Sequence, residues 1–499
     1  MTRLTPFEED NLPAEQPSPD DQSGMRRWKL RQLKEAERDP YREVRYDRTH
    51  TIAEILSKFD ELAGTQARIA GRVMAKRGHG KAIFLDLADQ DGRIQVYANV
   101  DTLGGEQFEQ LNAVDIGDIL GVEGEVFKTR TGQQSVKAGE CTLLVKSLEP
   151  LPEKWHGLTD IELKYRQRYV DLIVTPEARQ RFKLRSTIVA QMRRFLEDGR
   201  GFMEFETPVL EPVCGGATAE PFITRWEALD DDFYLRIAIE LRLKRLIVGG
   251  FEKVYEIGRI FRNEGVDTQH NPEFTMLELY WAYVDYNDIM QLTEDLVVHI
   301  CDSCLGTRKI EKGKGTLSFE PPFARAQFDD LMQKHAGVSV LDLPDRKTAL
   351  AQAKKLDVEF EKDAGYEKIL DRIWSERVEP HLIQPTFVMD YPTAVSPLAK
   401  RIPDKPHLAY RFELFANAVE LANAFSELND PIEQRVRMEE QIARATEGYR
   451  ELDKDFLRAL EYGMPPTGGL GMGIERLLMA LLGEQSIREV ILFPQLRKQ

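Results

Sequence analysis

The sequence has few cysteines, no long apolar run and an excess of negative charge. Four cysteines in 499 residues are typical of a reducing compartment, and no second pair completes a zinc site around Cys301 and Cys304. No apolar stretch approaches the roughly 18 residues of a transmembrane helix, so we expect no membrane association. The net charge of −16 argues against a general nucleic-acid binder, although the distribution of charge matters more than its sum.

What remains is the composition of an ordinary globular protein, with 42% hydrophobic and 30% charged residues. Its length predicts two or three domains. Residues 1–24 are acidic and rich in proline, which predicts a disordered tail rather than a signal or transit peptide. A cytoplasmic location is the expectation that follows.

Residues 25–64 form a basic, helical segment. Positions 26–45 carry eight basic residues against four acidic ones, with Trp28, Leu30 and Leu33 at helical spacing. Two interpretations are open: a solvated amphipathic helix, or a basic helix that contacts an RNA backbone without reading its sequence.

Residues 65–150 have a different character, with short runs that alternate apolar and polar residues. Turn sequences such as Asp91-Gly92 and Thr131-Gly132 separate these runs. Several short strands at this spacing predict a small β-barrel.

Residues 151–180 are polar and helical and are interpreted as a linker to a mixed α and β domain over 181–499. In that domain, the pattern of residues 182–201 predicts an amphipathic helix. The pattern of residues 202–210 predicts a strand that stops at Pro208. Residues of about 284–400 are mostly helical in pattern and are expected to be an insertion.

Three separated stretches of this domain carry the residue types that nucleotide chemistry needs. Residues 261–283 predict a long hairpin with a polar loop, in which an arginine and an aromatic ring can meet a phosphate and a base. Residues 411–431 place glutamates on a strand of alternating pattern. Residues 468–476, GGLGMGIER, predict a glycine-rich turn before a helix, where the backbone can approach a ligand closely.

Together, FRNEG…HNPEF, RFELF and GGLGMGIER resemble the signature motifs of class II aminoacyl-tRNA synthetases, most closely the lysyl-tRNA synthetases of subclass IIb. The resemblance covers roughly residues 25–499. It implies an α+β protein, with an N-terminal OB-fold barrel that binds the tRNA anticodon and a catalytic antiparallel sheet flanked by helices. It also implies that the helix–strand unit near residue 200 builds a homodimer interface.

The resemblance implies an ATP site with two catalytic arginines, Arg262 and Arg476. Arg262 would contact the α-phosphate and the substrate carboxylate, and Arg476 would lie against the adenine or reach the γ-phosphate. Hard carboxylate ligands suit Mg²⁺, and Glu413 and Glu420 are its implied ligands. The full set implied for ATP is Arg262, Glu264, His270, Phe274, Glu413, Glu420 and Arg476.

A pocket with several carboxylates needs a cationic occupant, because a buried unpaired charge is costly. Glu240, in the stretch 215–250, recurs near the implied site together with Glu278 and Glu427, which favours lysine as the substrate. By resemblance, Glu240 contacts the α-ammonium of lysine, and Glu278, Tyr280 and Glu427 contact the ε-ammonium. The remaining residues implied for the lysine site are Gly216, Arg262, Asn423 and Phe425.

In the barrel, Phe84, Gln95 and Gln133 are the candidate anticodon contacts, because OB-folds stack single-stranded bases on aromatic side chains. Phe84 could equally be a core residue. The sequence departs from the family pattern at Glu220, Ile239, Arg242 and Gln133, where relatives commonly have other residues.

The expected activity is that of a lysine–tRNA ligase, with lysine, ATP and tRNA(Lys) as substrates. Three alternatives stay open: a related ligase that modifies a protein lysine, a sister synthetase for aspartate or asparagine, and a non-catalytic RNA-binding paralogue.

Overall fold

The chain divides into two compact units, Met1–Thr159 and Asp160–Gln499. The computed structural model describes residues 12–152, 160–217, 219–263, 265, 267–312, 315–360, 364–444 and 451–497. Among these residues, no helix has the length and apolarity needed to cross a bilayer. Residues 1–11 of the predicted acidic tail lie outside the described residues, whereas residues 12–24 of it are described.

The first unit contains a closed five-stranded barrel, as predicted for residues 65–150. Its strands are arranged in the order β1-β2-β3-β5-β4, and only β3 and β5 pair in parallel. Every second residue points inward, so the barrel core is aliphatic, as in Ile83, Leu85 and Val96. The strand bounds are Gln66–His79 (β1), Ala82–Ala88 (β2), Arg93–Asn99 (β3), Ile119–Lys128 (β4) and Gln134–Val145 (β5).

The basic segment forms a helix that docks on this barrel unit, an arrangement that neither sequence interpretation anticipated. Arg26 is buried and donates to the carbonyls of Ser147 and Ile116, at 3.1 and 2.9 Å. Lys29 forms an ion pair with Asp115 at 2.7 Å. Arg26 and Lys29 therefore help to hold this helix on the barrel. The helices of the unit are Gln22–Glu35 (α1), Ile52–Ser57 (α2), Phe59–Leu62 (α3), Val100–Leu103 (α4) and Gly105–Ala113 (α5).

The second unit is built on a nine-stranded sheet whose central strands are antiparallel, as expected, and whose two end strands pair in parallel. Its order is β14-β15-β17-β18-β19-β11-β10-β6, with β16 paired to β17. The strands of this sheet are Met203–Glu204 (β6), Lys253–Phe261 (β10), Glu273–Ala282 (β11), Ala324–Gln327 (β14), Thr386–Pro392 (β15), Arg401–Ile402 (β16), Lys405–Ala416 (β17), Val419–Ser426 (β18) and Thr467–Gly473 (β19). Two small sheets contain Leu210–Glu211 (β7), Ile223–Trp226 (β8) and Asp231–Leu235 (β9), and Lys309–Lys312 (β12) with Gly315–Ser318 (β13).

Helices cover this sheet, and their apolar faces form the main core with it. That core includes Met192, Leu296 and Leu477, one from each of three helices. The helices are Ile161–Arg166 (α6), Arg168–Val174 (α7), Pro176–Arg200 (α8), Glu240–Val248 (α9), Tyr286–Ile300 (α10), Phe328–Ala336 (α11), Arg346–Lys355 (α12), Tyr366–Arg377 (α13), Pro431–Arg444 (α14), Lys454–Glu461 (α15), Ile474–Leu482 (α16) and Ile487–Val490 (α17). Cys301 and Cys304 lie in a helical turn that follows α10.

The structure corrects three sequence boundaries. The segment predicted as a linker is part of the second unit from Asp160 onward, because Arg168 is fully buried and bonds the carbonyls of Arg488 and Leu492. The predicted insertion of 284–400 is too broad, since α10 packs in the main core and β14 and β15 belong to the central sheet. The strand predicted over 202–210 is only two residues long, because Pro208 and its neighbours leave the sheet.

Candidate active site

The long hairpin predicted from the sequence consists of β10 and β11, in register from Phe261 opposite Glu273. Arg262 follows β10, and its amide donates to Pro272 O at 2.9 Å. In the loop, His270 is held by Asp267, with 2.9 Å between Nδ1 and Oδ2. Glu264 lies outside the described residues, so its predicted contact with ATP stays a prediction.

Two neighbouring cavities open along this hairpin. The first has a volume of about 330 Å³ and the second about 440 Å³. The two cavities are adjacent, because five residues line both of them: Arg262, Met276, Arg411, Asn423 and Gly471. A ligand that spans both cavities would pass Arg262.

The first cavity collects the predicted lysine-site residues. Its lining contains Gly216, Glu240, Arg262, Glu278, Tyr280, Asn423, Phe425 and Glu427. Gly216 has a φ of +86°, and a Cβ there would lie 2.9 Å from Ala238 Cβ, so this close approach requires glycine. The sequence had given these residues only as a set implied by resemblance; the fold brings all of them together.

Glu278 and Glu427 are almost completely buried, and their pKa values are raised. Burial and the charge of Glu240 raise the pKa of Glu278 to about 7, against hydrogen bonds from the Ile239 amide at 2.9 Å and Tyr280 OH at 3.2 Å. Burial also raises the pKa of Glu427. Within the described part of the chain, Glu427 Oε1 has no hydrogen-bond partner. Such carboxylates favour a ligand that brings positive charge.

Sequence reasoning missed Lys244, which stands behind the wall of this cavity. Its Nζ lies 2.5 Å from Glu240 Oε1 and 2.5 Å from Glu427 Oε2, and the side chain is fully buried. Burial opposes its charge, but Glu240 and Glu427 raise the pKa of Lys244 above the ordinary value. The spacing of four residues from Glu240 on one helix was an available signal.

The second cavity collects the described residues predicted for ATP. Arg476 lies 3.1 Å from Glu420 Oε2 and 3.4 Å from His270 Nε2. Phe274 is beneath the Arg262 guanidinium, 5.3 Å from the ring centroid. The other residues of the predicted set in this lining are Glu413 and Glu420.

Buried partners fix these side chains in place. Glu475, next to Arg476, accepts from the Thr275 amide at 2.9 Å and from Arg185 at 2.7 Å, which ties the start of α16 to β11. Glu413 accepts from Tyr391 OH at 2.7 Å and from Arg411.

Arg411 also contacts Asn423 Oδ1 at 3.2 Å, so it links the two cavities. Burial and Glu420 raise the pKa of Glu413 to about 7, while Arg411 counteracts them. Arg411 was missed by sequence reasoning, although its spacing of two from Glu413 places both on one face of a strand.

Two departures from the family pattern, at Arg242 and Ile239, have structural explanations, whereas the bond found for Glu220 does not depend on its side chain. Arg242 pairs with Glu211. Ile239 contributes a backbone donor to Glu278, which a proline cannot do. Glu220 accepts from the Asn263 amide at 2.7 Å through its backbone, a bond that any residue can make.

In the barrel unit, the outward face of the sheet carries a row of three aromatic rings. Phe84 and Tyr97 are opposite each other, with ring centroids 5.1 Å apart, and Phe127 is 6.0 Å from Tyr97. Phe84 therefore is not a core residue. Gln95 accepts from Ser135 Oγ at 3.1 Å on the same face, and Gln133 is exposed in the adjacent turn. Tyr97 and Phe127 were missed, although their alternation with Val96 and Val126 was visible.

Comparisons with known proteins agree with both units. Residues 160–497 match the family model of class II tRNA synthetases (D, K and N), and residues 67–151 match that of the OB-fold nucleic acid binding domain. The chain belongs to the class II tRNA synthetases of this D, K and N family.

Similar proteins named lysine–tRNA ligase come from three bacteria. The protein of Carboxydothermus hydrogenoformans is 52% identical over 95% of this chain and 97% of its own length. That of Moorella thermoacetica is 52% identical over 96% and 98%. That of Pelotomaculum thermopropionicum is 51% identical over 95% and 94%.

Proposed function

We propose that this protein is a lysine–tRNA ligase, which activates lysine with ATP and transfers it to the 3′ end of tRNA(Lys). The observation that carries the proposal is the set of three carboxylates, Glu240, Glu278 and Glu427, around a cavity that shares Arg262 with a second, arginine-lined cavity. The first accommodates a cationic amino acid and the second a nucleotide.

In the activation step, the lysine carboxylate attacks the α-phosphate of ATP, and pyrophosphate leaves. Arg262 lines both cavities, so it neutralises the carboxylate and the α-phosphate while holding them together. Arg476 and His270 bind the phosphates at the far end, and Phe274 stacks on the adenine. Positioning and electrostatics supply the catalysis, and no covalent nucleophile is required.

The residues of the second cavity fit Mg²⁺. Glu413 and Glu420 line it, each has a cationic neighbour, and Glu420 adds to the negative potential at Glu413. Two carboxylates together with substrate phosphates are a usual ligand set for this ion. When bound, it neutralises phosphate charge; Arg411 and Arg476 orient the two carboxylates for it.

The tRNA contacts two regions in this proposal. Its terminal ribose hydroxyl attacks the lysyl-adenylate, and its anticodon bases stack on the barrel. The row of Phe84, Tyr97 and Phe127 supports that role, as do Gln95 and Gln133 beside it. The OB-fold match disfavours a ligase that modifies a protein lysine, since such relatives generally lack the barrel.

A homodimer and a cytoplasmic location belong to the same proposal. Large apolar side chains are exposed near β6 to β9, which supports an interface there: Met203, Val209, Leu210, Ile223, Trp226 and Leu229. Light scattering after size exclusion tests the dimer directly.

The activation step is tested by ATP–pyrophosphate exchange with each standard amino acid. Lysine should support exchange, and Arg262→Ala should abolish it. Arg308→Ala is the matched control, because Arg308 pairs with Asp302 and Glu320 and lines neither cavity. Exchange that ignores lysine would refute the specificity, and unchanged exchange in Arg262→Ala would refute the role of Arg262.

A further inference from the structure

Lys244 is a fully buried cation with no part in the reaction described above. Its Nζ connects Glu240 and Glu427, and it lies 5.8 Å from the ring centroid of Tyr280. It does not line the amino-acid cavity but stands behind two of its carboxylates. One ammonium therefore contacts the residue proposed for the α-ammonium of lysine and a residue proposed for its ε-ammonium.

The charges of the cavity can be counted from the residues that face Lys244 and its neighbours. Glu240, Glu278 and Glu427 supply three negative charges when ionised, and Lys244 supplies one positive charge. Among these four residues two negative charges remain, which equals the number of ammonium groups on lysine. Of the other charged residues in the lining, Arg411 pairs with Glu413, and Glu451 is exposed. The substrate carboxylate is matched separately by Arg262.

We propose that Lys244 is a positioning residue that sets the charge of the amino-acid cavity for a substrate with two ammonium groups. Its ion pairs hold Glu240 and Glu427 in place and leave one positive charge beside them. The inference rests on the proposed lysine–tRNA ligase activity.

A purely structural ion pair would behave differently. Removing it would lower stability but leave the affinity for lysine and the discrimination among amino acids unchanged in the folded fraction. If Lys244 sets the charge of the cavity, its removal leaves the buried carboxylates without their cation, and one of them takes up a proton. A protonated Glu427 is a poor partner for the ε-ammonium, so affinity and selectivity both fall.

The test compares Lys244→Met with the wild-type protein in ATP–pyrophosphate exchange. We expect the KM for lysine to rise at least about tenfold and the KM for ATP to change less than about twofold. The preference for lysine over norleucine, whose side chain lacks the ammonium, should fall. The pH profile of kcat/KM for lysine should shift upward, because the carboxylates that face Lys244 ionise less readily without it.

Further variants distinguish the effect of the charge at position 244 from an effect on folding. Lys244→Gln removes the charge but keeps a donor, so it should lose lysine affinity as Lys244→Met does. Lys244→Arg keeps the charge, so it should retain discrimination against norleucine, although its larger guanidinium displaces the carboxylates and raises the KM for lysine. Lys253→Met is the control, since Lys253, on β10, donates to the carbonyl of Arg200 at the end of α8 and lines neither cavity.

An unchanged KM for lysine, discrimination and pH profile in a folded neutral variant would overturn the inference. If neither neutral variant folds, Lys244→Arg decides, and loss of discrimination against norleucine in this charge-conserving variant would overturn the inference. A wild-type protein without lysine-dependent exchange would instead refute the proposed function, so the two failures are distinguishable.

Discussion

The backbone amide of Ile239 donates a hydrogen bond to Glu278 Oε1 at 2.9 Å, at the point where α9 meets β11. This bond favours the ionised carboxylate, whereas burial and Glu240 together raise the pKa of Glu278 to about 7. Near neutral pH the free protein is therefore a mixture of protonated and ionised Glu278. An ammonium ligand selects the ionised form.

Lysine binding should consequently release protons. Below about pH 7 Glu278 is mostly protonated and must lose its proton to accept the ε-ammonium, so the affinity for lysine should increase from about pH 6 to about pH 8. Calorimetry in buffers of different ionisation enthalpy measures this release, and Glu278→Gln should reduce it. Binding heats that are independent of the buffer over this range would contradict the coupling.

Replacing Ile239 by proline should weaken lysine binding at neutral pH. Proline has no N–H, so Glu278 loses a donor and its pKa rises further. The KM for lysine should increase at about pH 7 and recover at higher pH. Ile239→Val keeps the donor and serves as the control; thermal unfolding of both variants checks the fold. Superimposable pH profiles for the two variants would show that the Ile239 amide does not contribute to lysine binding.

Gly469→Ala should block the lysine site. A Cβ at this position would lie 2.0 Å from Glu427 Oε1 and 2.5 Å from the Tyr280 ring, so both pocket residues must move. We expect the KM for lysine to rise at least about tenfold, as measured by exchange. Gly199→Ala is the matched control, because a Cβ there meets nothing within 4 Å in α8. Wild-type kinetics for Gly469→Ala would show that this wall does not contact the substrate.

Removing barrel aromatics should separate tRNA charging from activation. Stacking of one base contributes about 1–3 kcal/mol, so Phe84→Ala or Tyr97→Ala should raise the KM for tRNA about fivefold or more. ATP–pyrophosphate exchange needs no tRNA and should be retained. Tyr462→Ala, which removes an exposed aromatic of the other unit, is the control. Equal losses in both assays would argue against a separate anticodon module.

Glu420→Gln should increase the magnesium requirement. The substitution removes one of two carboxylates from the second cavity and leaves Arg476 without its charged partner. Exchange measured against Mg²⁺ at fixed ATP should need a several-fold higher concentration, whereas Glu311→Gln, on the exposed β12–β13 hairpin, should not. A dependence of exchange on Mg²⁺ concentration identical to that of the wild type would exclude Glu420 as a magnesium ligand.

The motif residues could be predicted from the sequence, but the residues that contact them could not. Arg262, Glu278 and Arg476 stand in recognisable local patterns, so their candidate roles could be assigned before the fold was known. Lys244 and Arg411 have local carboxylate partners, Glu240 and Glu413, but the contacts that give them their roles come from another strand. These contacts are Glu427 for Lys244 and Asn423 for Arg411. The docking of α1 was missed for the same reason, since Asp115 and Ser147 are far from it in sequence.

Aminoacylation measured for lysine, aspartate and asparagine, each with its own purified tRNA, tests the central claim most directly, because the family includes all three specificities. The account predicts that lysine is attached to tRNA(Lys) and that neither aspartate nor asparagine is attached to its tRNA. Charging with aspartate or asparagine, or no charging with lysine, would contradict it.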